Sequence, residues 1–252
     1  ALLRQYFINQ SLNPPSPAMS KAYLLAAARY LTGVSANDTL HSPHQGMGML
    51  DLGAIFTGSA RFLRDQQPAD LFTASGQSRT FNTVISDTAR PLRITLAWTD
   101  APGSTTANAY VNDLDLSVTI GNLTYFGNMF SGPLSAIGGT PDRRNNVESV
   151  FLPAGFAAGT PVVIRVAAAN IAGNGLPGNA TALDQDFALV GLNLSSFEGS
   201  IFTAASARVT EQSFDPDNAA IDPGETVTLD FGIANIGQQT PASVSALLLA
   251  QN

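Results

Sequence analysis

From about Gln66 onward the chain consists of short runs in which apolar residues recur at every second position, separated by clusters of Gly, Pro, Asn and Asp. A period of two marks a strand with one buried face, and no helical period comes between the runs. Leu92, Ile94, Leu96 and Trp98 share one face of a strand, and Leu114, Leu116, Val118 and Ile120 share one face of the next clear one. Val162, Ile164 and Val166 follow, then a strand around Phe187 to Leu194. Strands joined by turns pair antiparallel, so residues 66–197 are predicted to form a mainly β domain, an antiparallel jelly-roll or β-sandwich barrel.

Residues 1–60 read differently. Ser16 stands before Pro17, a favoured first helical residue, and nothing breaks the run that follows until Gly33, which predicts a helix from Pro17 to Thr32. Its Leu24, Leu25, Ala28 and Leu31 make an apolar stripe. Fewer than sixty residues cannot enclose a core, so this stripe, with Leu2, Leu3, Phe7 and Ile8, is expected to be covered by protein outside this sequence. The opening Ala1–Ile8 lacks the basic leader and small-residue cleavage site of a signal peptide, and reads as the end of a helix. In residues 198–252, Asp222-Pro223-Gly224-Glu225 predicts a turn into a strand carrying Val227, Leu229, Phe231 and Ile233, with a last strand around Val244 to Leu249. Three or four strands do not close a sandwich, so this part is read as the start of an immunoglobulin-like β module.

Composition narrows the function. A formal net charge of -7 and a single lysine, Lys21, leave no basic stripe to neutralise phosphates, which argues against nucleic acid and against anionic membrane surfaces as partners. No run approaches the eighteen or so apolar residues of a membrane-spanning helix. Cysteine is absent, which removes disulfides, thiolate metal sites and a cysteine nucleophile. With 44% hydrophobic residues and only 12% charged, the 252-residue chain has the balance of a folded protein.

His41 and His44, the two histidines, are split by Pro43 in a loop rather than aligned on one helical face, so they make no zinc motif. No Gly-x-Ser-x-Gly turn presents a nucleophile, and no catalytic residue is assigned. The carboxylates say more. In Asn112-Asp113-Leu114-Asp115-Leu116, strand alternation puts Asp113 and Asp115 on one face, opposite the two leucines. Two like charges so close repel, and a hard oxygen-seeking cation such as calcium removes the conflict. Asp100 and the Asp142-Arg143-Arg144-Asn145-Asn146 loop could add oxygens. The other reading is that both aspartates face solvent and pair with Arg143 or Arg144. Phe214-Asp215-Pro216-Asp217-Asn218 lacks the later ligand and the glycine of a calcium loop, and reads as a solvated turn.

Residue order carries a resemblance. Ala1-Leu2-Leu3-Arg4, then Ser16-Pro17-Ala18-Met19-Ser20-Lys21-Ala22-Tyr23-Leu24-Leu25, then Gln45-Gly46-Met47-Gly48-Met49-Leu50-Asp51-Leu52 resemble the end of the catalytic domain of subtilisin-like serine proteases. Leu92-Arg93-Ile94-Thr95-Leu96-Ala97-Trp98-Thr99-Asp100, Val111-Asn112-Asp113-Leu114-Asp115-Leu116, Tyr125-Phe126-Gly127-Asn128, Arg144-Asn145-Asn146-Val147-Glu148 and Gln185-Asp186-Phe187 follow in the order seen in the C-terminal β-barrel of bacterial alkaline subtilases, which is similar to the P domain of kexin-like convertases. The resemblance implies a secreted or cell-surface protein whose barrel stabilises an upstream subtilisin-like catalytic domain. It implies calcium at Asp100, Asp113 and Asp115. It also implies that the triad lies before Ala1, so that Ser16, His41 and Asp51 are not its members. From a different class, an independent module binding glycans or a cell surface would announce itself by exposed aromatics on one sheet face.

Overall fold

Alternating and near-continuous apolar runs both become strands, and which kind a run is tells how many of its faces are covered. The computed structural model describes residues 1–57, 59–197, 202–214, 220–235 and 243–245. In chain order the elements are α1 (Leu2–Asn9), α2 (Pro17–Ala26), α3 (Leu52–Ile55), β1 (Arg61–Asp65), β2 (Ser78–Ile85), β3 (Leu92–Ala97), β4 (Asp113–Ile120), β5 (Leu123–Phe126), β6 (Phe130–Ser131), β7 (Leu134–Ser135), β8 (Val147–Leu152), β9 (Pro161–Asn170), β10 (Ala188–Leu192), β11 (Leu194–Ser196), β12 (Phe202–Gln212) and β13 (Val227–Asn235). The chain divides into two units, Ala1–Ser196 and Phe197–Asn252. Among the described residues no helix is long and apolar enough to cross a membrane.

The first unit is mainly β, with a four-stranded sheet ordered β1-β10-β3-β8 and a five-stranded sheet ordered β11-β2-β9-β4-β5, all pairs antiparallel. Leu92, Ile94, Leu96, Val150 and Leu189 from the first sheet meet Leu114, Leu116, Val118, Ile164 and Val166 from the second in one core. The expected barrel is not closed: each sheet keeps two edge strands among the described residues. The strand expected from Phe187 to Leu194 is in fact two. Asn193 turns with φ 66, its amide accepts the Asp87 N–H and donates to the Asp87 and Arg90 carbonyls, and the chain crosses from one sheet to the other.

The N-terminal segment corrects two expectations. Its α2 ends at Ala26 rather than Thr32, because Arg29 leaves the helix to exchange both backbone hydrogen bonds with Met49, at 2.8 Å each. Gly48 makes that approach possible: it sits at φ 107, and a Cβ there would strike the Arg29 carbonyl. The cover for the helix also lies within this chain. Ala18, Met19, Ala22, Tyr23 and Ala26 form the buried face of α2, with Leu24 of the expected stripe only partly buried beside them, and they pack with Leu3, Phe7 and Ile55 on Ala97, Ala188 and Val190 of the four-stranded sheet. Small side chains at the contact let the helix approach the sheet closely, while Leu2 and Ile8 stay exposed. Ser16 caps the helix by accepting the Met19 N–H at 2.9 Å, and Asp65 of β1 holds the cap through the Ser16 N–H and hydroxyl.

In the second unit β12 and β13 pair antiparallel, and the Asp222–Glu225 turn leads into β13 with the Glu225 N–H on the Asp222 carbonyl. Residues 243–245 carry no regular structure; the rest of the strand expected to Leu249, and the 215–218 turn, lie outside the described residues.

Candidate functional site: a carboxylate patch on the five-stranded sheet

Because Leu114 and Leu116 point into the core, β4 turns Asp113 and Asp115 to its other face, where both line a cleft with Asn108, Tyr110, Arg143 and Asn170. Both side chains are half-buried, and one oxygen of each, Oδ1, is buried without a hydrogen-bond partner. Burial, and then the charge of Asp115, pushes the Asp113 carboxyl up to about 6, and burial also raises Asp115 against the pull of Arg143 and Arg165. Neither aspartate forms an ion pair among the described residues, although Arg143 lines the same cleft.

Asp100 is not part of that cleft. Its Oδ1 accepts the Ala101 and Asn112 N–H groups and its Oδ2 the Val111 N–H, at 2.7 to 2.8 Å, so the carboxylate ties the 101–111 loop to the start of β4. Asp142 likewise serves its own loop. Burial would raise it, but the Asn145 and Asn128 amides and the Arg144 and Asn145 N–H groups together hold it below the ordinary carboxylate range.

Sequence reasoning missed Glu148 as a site residue. It lies on β8, fully buried, with Oε2 accepting the Leu116 N–H at 2.6 Å and Oε1 lacking a partner. Burial pushes its carboxyl up to about 9, and Asp115, Asp142 and Asp113 add to the shift against the Leu116 hydrogen bond. The available signal was a lone carboxylate inside the apolar run Val147–Leu152, since such a group is rarely fully buried unless it is partnered.

The patch therefore holds negative charge in a setting that resists it. A proton or a cation relieves that, and the hard oxygen donors suit calcium. Among the described residues no three His, Cys, Asp or Glu side chains converge as a ready metal site, so two aspartates would supply part of a shell completed by other oxygens.

Among the described residues no histidine ring is hydrogen-bonded to a serine hydroxyl. The Ser42 hydroxyl donates to Asp38 at 2.6 Å and His44 Nδ1 lies 3.0 Å from the same oxygen, so the ring meets the carboxylate rather than the serine and the contacts close a loop. The His41 ring packs against Phe130, and Asp51 caps α3 through the Ala54 N–H. No protein-family model matches the chain, and no curated protein matches it.

Proposed function

We propose that this chain is the non-catalytic C-terminal part of a secreted subtilisin-like endopeptidase, in which the β domain braces the end of the catalytic domain and Asp113 and Asp115 take up calcium. The observation that carries this reading is the contact between α2 and the four-stranded sheet. The segment that resembles the end of the protease domain shares one buried cluster with the β domain, through Met19, Ala22 and Tyr23 against Ala97, Ala188 and Val190. Such a shared core makes unfolding of either part costly to the other, which is how a β domain without catalytic groups stabilises an enzyme. Calcium, held in part by the two aspartates, would supply only charge neutralisation. The buried, unpartnered Oδ1 atoms support it.

A glycan-binding module is less favoured, because a single exposed aromatic, Tyr110, lines the Asp113/Asp115 cleft. The test reads the residues encoded before Ala1 and treats both the longer polypeptide and this chain with a serine-directed fluorophosphonate. A Gly-Thr-Ser-Met-Ala-like motif upstream, with labelling of the longer product alone, is the expected result. Labelling of this chain with turnover of casein, or an unlabelled longer product, would overturn the reading.

A further inference from the structure

Where α2 ends, the outer face of the four-stranded sheet opens into a second cleft of about 240 Å³, whose walls include Arg29, Arg90 and Arg93 with Thr57 and Ser59. In a chain of net charge -7 with only 12 lysines and arginines, three arginines lining so small a space are a local reversal of sign. The one carboxylate in the walls, Asp51, accepts the Ala54 N–H as the cap of α3.

Each arginine has donors to spare. Arg93 lies on β3 between Leu92 and Ile94, which point into the core, so it projects from the outer face. Its guanidinium stacks 4.1 Å over Phe151 and donates one N–H to the Ala28 carbonyl at 3.2 Å; among the described residues no carboxylate pairs with it. A guanidinium presents five N–H donors in a rigid fork, and one placed in a largely buried setting without a counter-charge is uncompensated. Arg29, on the exposed lip, makes no side-chain hydrogen bond or ion pair among the described residues. Arg90 pairs with Asp87 at 3.2 Å with both side chains close to half exposed, a contact weak enough to give way to a better acceptor.

We propose that this cleft binds a small oxyanion, a phosphate or a carboxylate, with Arg93 holding it from the floor and Arg29 and Arg90 closing on it from the rim. Planar forked donors suit the paired oxygens that both groups present. At about 240 Å³ the cleft has room for an inorganic ion or a chain-terminal carboxylate. Bound there, the anion joins the end of α2 to β3 and to the loop before it, so its binding is readable as stability.

The experiment titrates the full chain with inorganic phosphate at constant ionic strength, following the melting temperature and the heat of binding, with sodium chloride as control. Parallel arms use a short peptide with a free C-terminal carboxylate and the same peptide amidated, which separates the two sources of oxyanion. A saturable rise of several degrees with phosphate, or with the free but not the amidated peptide, is expected. It should weaken at least tenfold in the Arg29→Ala/Arg90→Ala double variant, whose substitutions lie on exposed side chains and leave the fold intact. Arg93→Lys, which keeps the charge and loses the fork, should also bind more weakly. Rises no larger than with chloride in every arm, or unchanged affinity in the double variant, would overturn the proposal.

Discussion

Replacing Glu148 by Gln tests the electrostatics of the carboxylate patch most directly. The folded protein holds the Glu148 proton to about pH 9, whereas the ordinary value is 4.5. An acid with a raised folded pKa binds its proton more tightly when folded, so the protein has its full stability below about pH 4.5 and loses it as pH rises toward 9. Each pH unit inside that window costs about 1.4 kcal/mol, so the wild type loses about 3 kcal/mol between pH 5 and pH 7 through this one group. Glutamine has the same shape, keeps an oxygen for the Leu116 N–H and does not titrate. Other groups that titrate in this range, Asp113 and Asp186 among them, are common to both proteins and largely cancel in the difference. For a unit of this size about 3 kcal/mol corresponds to roughly 6–12 °C in melting temperature. Melting curves in chelator at pH 5, 6, 7 and 8 should therefore show the Glu148→Gln protein gaining on the wild type as pH rises. A gap that stays constant with pH, or that moves against the variant, would refute the reasoning.

Calcium should raise the melting temperature of the wild type at pH 7 by several degrees relative to chelator, and Asp113→Asn/Asp115→Asn should abolish the separation; coincident curves in the wild type would remove calcium from this face. Gly127→Ala should destabilise strongly, because a Cβ there runs into the Glu148 carboxyl, and adding Glu148→Ala should recover part of the loss in a double-mutant comparison by urea unfolding. Tyr23→Ala should cost about 3–5 kcal/mol and bring early proteolytic cuts into residues 1–57, because the ring is buried between the helix and the sheet and its hydroxyl accepts from Arg61 at 2.9 Å. A chain that starts at Ser59 should aggregate, since it uncovers Ala97, Ala188 and Val190, and a well-behaved monomer of that length would show that the helix contributes little.

The strands that alternate cleanly were legible one by one. In β4 polar side chains between the apolar ones declared a free face, in β9 Arg165 alone did so between Ile164 and Val166, and in both the buried positions fall where the period of two puts them. The cover of the four-stranded sheet was also written in the sequence, in a different form. Phe187-Ala188-Leu189-Val190-Gly191-Leu192 does not alternate, and a strand without alternation needs both faces covered. Read that way, β10 asks for a helix on its outer side, and the small-residue face of α2 is its complement. What stays illegible is where α2 stops. Ala27 and Ala28 are good helix formers, and the helix ends because Arg29 finds a strand-like partner in Met49, twenty residues on, past a glycine that only the folded arrangement requires.

The same division holds at the patch. Local spacing suffices to put Asp113 and Asp115 on one face, but it does not say where Asp100 turns, and its oxygens go to the backbone N–H groups of residues 101, 111 and 112. For Glu148 the run Val147–Leu152 marks a carboxylate among apolar residues but not the group it meets, because its partner follows from how the two sheets are joined. β5 stops pairing with β4 at Phe126. The Gly127 N–H still reaches the Leu116 carbonyl, and then Asn128, at φ 62, turns the chain away and bonds Ser149 of β8 through both its backbone and its side chain. That turn leaves the Leu116 N–H without a strand partner in the space beside a residue that has no side chain. A carboxyl from β8 is the group that fills both needs, and filling them brings a third acid up against Asp113 and Asp115. Burial in that gap is what raises the Glu148 carboxyl, and a cation or proton taken up at Asp113 and Asp115 would act beside the hydrogen bond by which the Leu116 N–H of β4 meets a side chain of β8.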